Sequence, residues 1–272
     1  MRIRTLLAAA AALMALVVPR GAGATQVRGQ FERRCTVGPA ADLRVNTGSG
    51  DIDVHAGPPG VIRVVGRVQV ERTFWHARGD AERRLAEILA HPPVDQSGNR
   101  VEIGRREPHD LFDNVSIDYY IEAPPDARVT AHTGSGDVRA NGLHGPLEVS
   151  TGSGDVKVWD APSGARLFTG SGDVEVHSLA GDLQARTGSG DVLASGTPTG
   201  AWDVHTGSGS VTLRMPAGAR FELDAHSGSG DIVCDHPFTT VTRLGHSTLH
   251  GLVNSGGPKV TVRTGSGDIT LQ

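Results

Sequence analysis

Apolar and polar residues alternate on both sides of a recurring Thr-Gly-Ser-Gly-Asp string. Copies or near copies of it begin at Thr47, Thr133, Thr151, Thr169, Thr187, Thr206, Ser227 and Thr264. Four residues upstream of each start stand Leu43, Val129, Leu147, Ala165, Leu183, Trp202, Leu223 and Val260. Two upstream stand Val45, Ala131, Val149, Leu167, Ala185, Val204, Ala225 and Val262. The alternation resumes downstream with Ile52, Val138, Val156, Val174, Val192, Val211, Ile232 and Ile269, then with Val54, Ala140, Val158, Val176, Ala194, Leu213, Cys234 and Leu271. A period of two on either side of a glycine turn predicts two short strands per repeat, each with one face buried.

From Thr133 the copies follow at steps of 18, 18, 18, 19, 21 and 37 residues. Stacking like on like at one register requires parallel strands, because an antiparallel meander reverses every second strand. The pattern therefore predicts an all-β, parallel β-solenoid with rungs of about 18 residues, right-handed like other parallel crossovers. The corner glycines would supply positive φ and leave room between rungs where a Cβ has none. The double-length last step predicts a degenerate copy around His246 to Val253. Between Thr47 and Thr133, Val61–Val70, Arg100–Ile103 and Val115–Ile121 read as strands that could form longer, irregular rungs. Ala81, Leu85, Ile88 and Leu89 lie at helical spacing between an Asp80 cap and the Pro92-Pro93 stop. They predict one short helix, Asp80 to Ala90, over a side or end of the stack where strand edges need cover.

Two segments flank this pattern: Ile117-Asp118-Tyr119-Tyr120-Ile121 leads through Pro124-Pro125 into the regular repeats, and Asn254-Ser255-Gly256-Gly257-Pro258 leads into Thr264 to Leu271. Together with the repeats, from about Phe31 to Gln272, they resemble the bacterial "putative adhesin" family, a β-strand-repeat domain of unknown function that is similar to autotransporter-adhesin head domains. The resemblance implies a right-handed parallel β-helix outside the cell or in the periplasm and carries no catalytic residues. The helix-bearing segment from Glu71 to Asn99 departs from the repeat.

The first 24 residues read as a secretory signal, with Arg2 and Arg4, an apolar run from Leu6 to Val18 and small residues up to Ala24. The expected organisation is a signal peptide over 1–24 and a single solenoid domain over 25–272, irregular with its helix over 55–125 and regular over 126–272. The predicted location is exported: periplasmic, secreted or on the cell surface. No later apolar run is long enough for a membrane helix. Without Arg2, Arg4 and Arg20 there remain 23 basic and 30 acidic residues, a formal charge of −7 against −4 for the whole chain. That balance argues against nucleic acid as a partner. A content of 37 glycines and 4% aromatics suits a thin, repeated core.

The aspartates after each corner, Asp51, Asp137, Asp155, Asp173, Asp191, Asp231 and Asp268, form the candidate functional row, with Ser210 breaking it. Carboxylates one strand spacing apart, about 4.8 Å, repel by about 3.5 kcal/mol at an effective dielectric near 20, so something must offset them. One reading has each Asp accept hydrogen bonds from its own turn N–H groups and from Thr or Ser hydroxyls. The other is a calcium ladder along Asp137, Asp155, Asp173 and Asp191, although one Asp per repeat supplies few oxygens. His132, His205 and His226 fall one residue before repeat starts, with His205 and His226 on consecutive copies, and read as solvated outward residues and not as metal ligands. Cys35 and Cys234 should lie many rungs apart and stay unbridged. No nucleophile elbow or triad stands out, and the outward row Lys157, Glu175, Leu193 shows no catalytic cluster. The sequence thus predicts no cofactor and a non-enzymatic, adhesin-like module for a cell-envelope polymer or surface protein. The alternative is a polysaccharide-binding or polysaccharide-active β-helix.

Overall fold

The computed structural model describes residues 26–71, 80–104 and 111–272; the expected signal segment Met1–Ala24 lies outside them. Each of the eight repeats forms two short strands joined at its Gly-Ser-Gly corner, one in an 11-stranded sheet and one in a 12-stranded sheet. In spatial order the rungs are Asp42–Ser49 with Ile52–Ala56 (rung 1), Arg128–Ser135 with Val138–Asn141 (rung 2), Leu147–Ser153 with Val156–Ala161 (rung 3) and Ala165–Ser171 with Val174–Leu179 (rung 4). There follow Leu183–Ser189 with Val192–Gly196 (rung 5), Trp202–Ser208 with Val211–Arg214 (rung 6), Lys259–Ser266 with Ile269–Leu271 (rung 7) and Phe221–Ser227 with Ile232–Cys234 (rung 8).

Like lies on like, as the repeat predicts. Leu147 pairs with Val129 and Ala165, Thr151 with Thr133 and Thr169, and Val156 with Val138 and Val174, all in parallel. The inward residues of both sheets merge into one continuous core. Because each rung contributes only a handful of inward side chains, its apolar surface is sealed by its neighbours and not by itself.

Among the eight repeats, spatial order departs from chain order at one place. The final repeat inserts between two earlier ones, with Val260 paired to both Trp202 and Leu223 and Ile269 to both Val211 and Ile232. Copies with the same register can stack on any other copy. Covered on both sides, Ile269 and Leu271 of rung 7 are fully buried, whereas Ile232 and Cys234 of rung 8, at the sheet edge, are only half-buried.

The expected degenerate copy around His246 to Val253 is instead an antiparallel strand. Thr248–Val253 pairs with Phe221–Ser227 on one side and with Phe238–Gly245 on the other; only His246 and Ser247 separate it from Phe238–Gly245, a hairpin connection that permits only antiparallel pairing. At the other end the three expected strands exist, but Val61–Glu71 is not a rung. It runs antiparallel to both Gln26–Thr36 and Val115–Ala123. Val115–Ala123 and Arg100–Ile103 do run parallel beside the two strands of rung 1, and Val94–Ser97 adds an antiparallel edge outside Arg100–Ile103. The helix spans Asp80–Ala90 as expected and lies against Gln26–Thr36 and Val61–Glu71, at the edge of the 11-stranded sheet. Ala81, Leu85 and Ile88 form its buried face, and the buried Arg84 guanidinium donates to the Leu111 carbonyl at 2.9 Å.

The corner glycines are dictated by the rung beneath them. A Cβ on Gly152 would stand 2.5 Å from the Gly134 carbonyl oxygen, and one on Gly154, where φ is +154°, would stand 2.0 Å from that of Gly136. Gly48 occupies the corresponding place in rung 1, where nothing lies within 4 Å. Substituting Gly152→Ala should therefore lower stability by about 2 kcal/mol or more, while Gly48→Ala should stay within about 0.5 kcal/mol of the parent. Urea unfolding midpoints of the two variants check this difference.

Candidate functional site

The aspartate row is bonded from rung to rung. Asp51 Oδ1 accepts the Asp137 backbone N–H at 2.9 Å, Asp137 that of Asp155 at 3.0 Å, Asp155 that of Asp173 at 2.9 Å and Asp173 that of Asp191 at 2.8 Å. Asp191 takes the Ser210 N–H at 2.7 Å, and Asp268 takes that of Asp231 at 2.9 Å. Ser210 continues the row with its hydroxyl, 3.3 Å from the Asp268 nitrogen. This corrects the expectation that each Asp bonds its own turn: the parallel offset points its carboxylate at the next rung. The column begins on Asp118, which accepts from the Asp51 N–H at 3.1 Å and which no repeat signal marks in the sequence.

The threonines run the same way. Thr151 Oγ1 donates to the Gly136 carbonyl at 3.0 Å, Thr169 to Gly154 at 3.0 Å and Thr187 to Gly172 at 2.9 Å, and all three are buried. Each rung thus donates one N–H and one hydroxyl to the rung before it. Oδ1 of Asp137, Asp155 and Asp173 is occupied in this way, and Asp137 Oδ2 also lies 2.8 Å from Arg139. These donors offset the mutual repulsion of the column.

His132 and His205 face outward, and His205 Nε2 lies 2.6 Å from Asp203. His205 and His226 are not on adjacent rungs, because the inserted rung 7 places Arg263 between them. Among the described residues no group of three or more His, Cys, Asp or Glu side chains is placed to hold a metal ion. Cys35 and Cys234 are unbridged; they lie on the two opposite edge strands of the 11-stranded sheet. Burial pushes both thiols up from their ordinary pKa. No helix among the described residues is long and apolar enough to cross a membrane.

The outer face of the 11-stranded sheet holds a constellation that the repeat pattern did not single out. Asp53 and His55, Arg139 and Asn141, Lys157 and Trp159, and Glu175 and His177 stand side by side on rungs 1 to 4. Trp159 and His177 stack with ring centroids 6.1 Å apart and planes at 15°. His55 and Tyr120 approach to 5.3 Å at 35°. Glu175 receives His177 Nε2 at 2.7 Å and Lys157 Nζ at 3.2 Å; the His177 bond, then that of Lys157, holds its carboxyl below the ordinary glutamate value. The only advance sign of this face was an aromatic residue at the outward position next to Val158.

Glycine-cornered rungs stacked in two parallel sheets define a repeat protein of the β-solenoid class. The chain belongs to the Toastrack DUF4097 family, whose sequence model matches residues 14–272. No curated protein matches it. Among solved structures it is similar to a "putative adhesin" from Bacteroides fragilis, at 14% identity and a TM-score of 0.45, covering 89% of this chain and 97% of that one. A "putative cell adhesion protein" from Clostridium sporogenes is similar at 14% identity and a TM-score of 0.40, covering 89% and 98%.

The ladder makes two testable statements. Asp155→Ala strands the Asp173 N–H and should cost about 1 kcal/mol, with Asp155→Asn, which keeps an acceptor, costing less; chemical denaturation of both variants reads the difference. With one oxygen of each ladder aspartate from Asp51 to Asp191 engaged by a backbone donor, the protein should melt at the same temperature in millimolar calcium and in chelator. A rise in Tm with calcium would favour the ion ladder.

Proposed function

We propose that this chain is an exported, non-enzymatic, adhesin-like binding module. One observation carries the reading: the repeated Asp and Thr groups, which a hydrolase could use, are bonded between rungs, and what the fold offers outward is two long sheet faces. Eight rungs, seven spacings of about 4.8 Å, give a face of about 34 Å, suited to an extended polymer or a partner's surface. Membership of the Toastrack family supports a repeat-built role, and the adhesin titles of similar structures agree with the reading only by name.

In this reading residues 1–24 are the export signal, residues 25–272 form one solenoid domain, and the chain works in the periplasm or at the cell surface. Its coil advances by about 18 residues per turn and is right-handed, as parallel crossovers almost always are. The partner is a cell-envelope polymer or surface protein, and neither cofactor nor metal is required.

The test is sedimentation of the purified protein with bacterial cell-envelope fragments, with an assay for new reducing ends in the same tubes. The expected result is saturable co-sedimentation without release of reducing ends. Protein left wholly in the supernatant would overturn the binding role, and release of reducing ends would replace it with a polysaccharide-active one.

A further inference from the structure

We propose that the outer face of the 11-stranded sheet carries a glycan site, in which a neutral pyranose ring sits between the His55–Tyr120 and Trp159–His177 ring pairs. This deepens the binding-module reading and rests on it.

The slot follows from register. His55, Asn141 and Trp159 are direct neighbours on rungs 1, 2 and 3, so the two aromatic walls rise from strands about 9.6 Å apart, two strand spacings. The short Asn141 side chain between them leaves the gap open. A concavity of about 450 Å³ results, lined by Asp53, His55, Arg139, Asn141 and Trp159. That volume lies within the range of about 300–1,000 Å³ usual for small-ligand sites.

One wall is held before any ligand arrives. At the His55 side, Nε2 lies 2.6 Å from Asp53 Oδ1, close enough for an ion pair but without the geometry of a hydrogen bond. On the other side, His177 is fixed at both ring nitrogens, by Glu175 at 2.7 Å and by the Ser195 hydroxyl at 3.3 Å. It backs the Trp159 indole as a stacked plate. Rings fixed in advance cost little ordering on binding.

The chemistry of the lining selects the occupant. Aromatic planes favour a flat ring with an apolar face, and the Asn141 amide with the Asp53 and Arg139 groups offers both donors and acceptors to its edge. The charges are already matched: Arg139 lies 2.8 Å from Asp137 and 3.5 Å from Asp51, and Lys157 lies 3.2 Å from Glu175. Among the described residues of the slot no unpaired cation awaits a phosphate or carboxylate, so an uncharged polyol fits better than a nucleotide or an acidic polymer.

The probes are cellohexaose, laminarihexaose and chitohexaose, titrated calorimetrically into the full-length protein. At least one should bind saturably. Trp159→Ala should weaken that binding at least tenfold, Asn141→Leu, which fills the slot, should do the same, and Trp159→Phe should retain it within threefold. Both positions face outward, so melting temperatures should hold. Phe168→Ala, on the outer face of the other sheet, should bind as the parent does. The proposal is overturned if none of the three sugars binds, or if Trp159→Ala and Asn141→Leu bind like the parent. Envelope co-sedimentation that survives in both slot variants would likewise sink the slot while leaving the binding-module reading standing.

Discussion

The contact that governs this molecule is backbone against backbone at the corner between successive rungs. A parallel stack brings the Gly-Ser-Gly turn of one rung down onto that of the next, at distances where a Cβ on Gly152 or Gly154 would collide with the carbonyl oxygen of Gly134 or Gly136. Glycine at both places is therefore a condition of stacking and not of turning alone. The same approach places a threonine hydroxyl on the preceding glycine carbonyl and an aspartate carboxylate under the following N–H. The five-residue string is one device for joining rungs: two residues make room, and two supply the bonds across it.

A stack joined in this way needs to end. Rungs are interchangeable in the middle because they share a register, but the terminal ones leave a row of backbone groups and a slice of core uncovered. The chain closes both ends by abandoning the repeat. Antiparallel strands and the Asp80–Ala90 helix close one end, with Asp118 giving the aspartate column its first acceptor. At the other, an antiparallel hairpin covers rung 8 in one sheet and leaves Ile232–Cys234 as the edge of the other. The insertion of the last repeat belongs to the same end of the stack: it puts Ile269 and Leu271 inside and leaves rung 8 as the last rung.

Function is pushed outward by the same constraint. The Asp and Thr groups that recur along the stack are used in holding rungs together, so the outward faces differ chiefly at positions that vary. On the 11-stranded sheet those are the outward sites that gather His55, Asn141, Trp159 and His177, each contributed by a different rung and none part of the repeat.

The division between sequence and structure has a physical basis. Strand spans, inward residues, corner glycines and the Asp80–Ala90 helix were legible because each reports a local period or a capping signal, and eight in-register copies made parallel stacking the consistent arrangement. The rung order was not legible, because a shared register makes Val260 an equally good neighbour for several residues, and only the folded stack seats it between Trp202 and Leu223. The antiparallel ends were missed because Thr248–Val253 and Val61–Glu71 alternate like any strand, and their direction depends on which edge they meet. The aspartate bonds were missed because a carboxylate's partner one rung away is remote in the chain. So the amino-acid pattern by itself determined what a rung is, whereas the tertiary structure decided which rungs touch and hence which outward side chains meet, because no signal within a repeat chooses its neighbours.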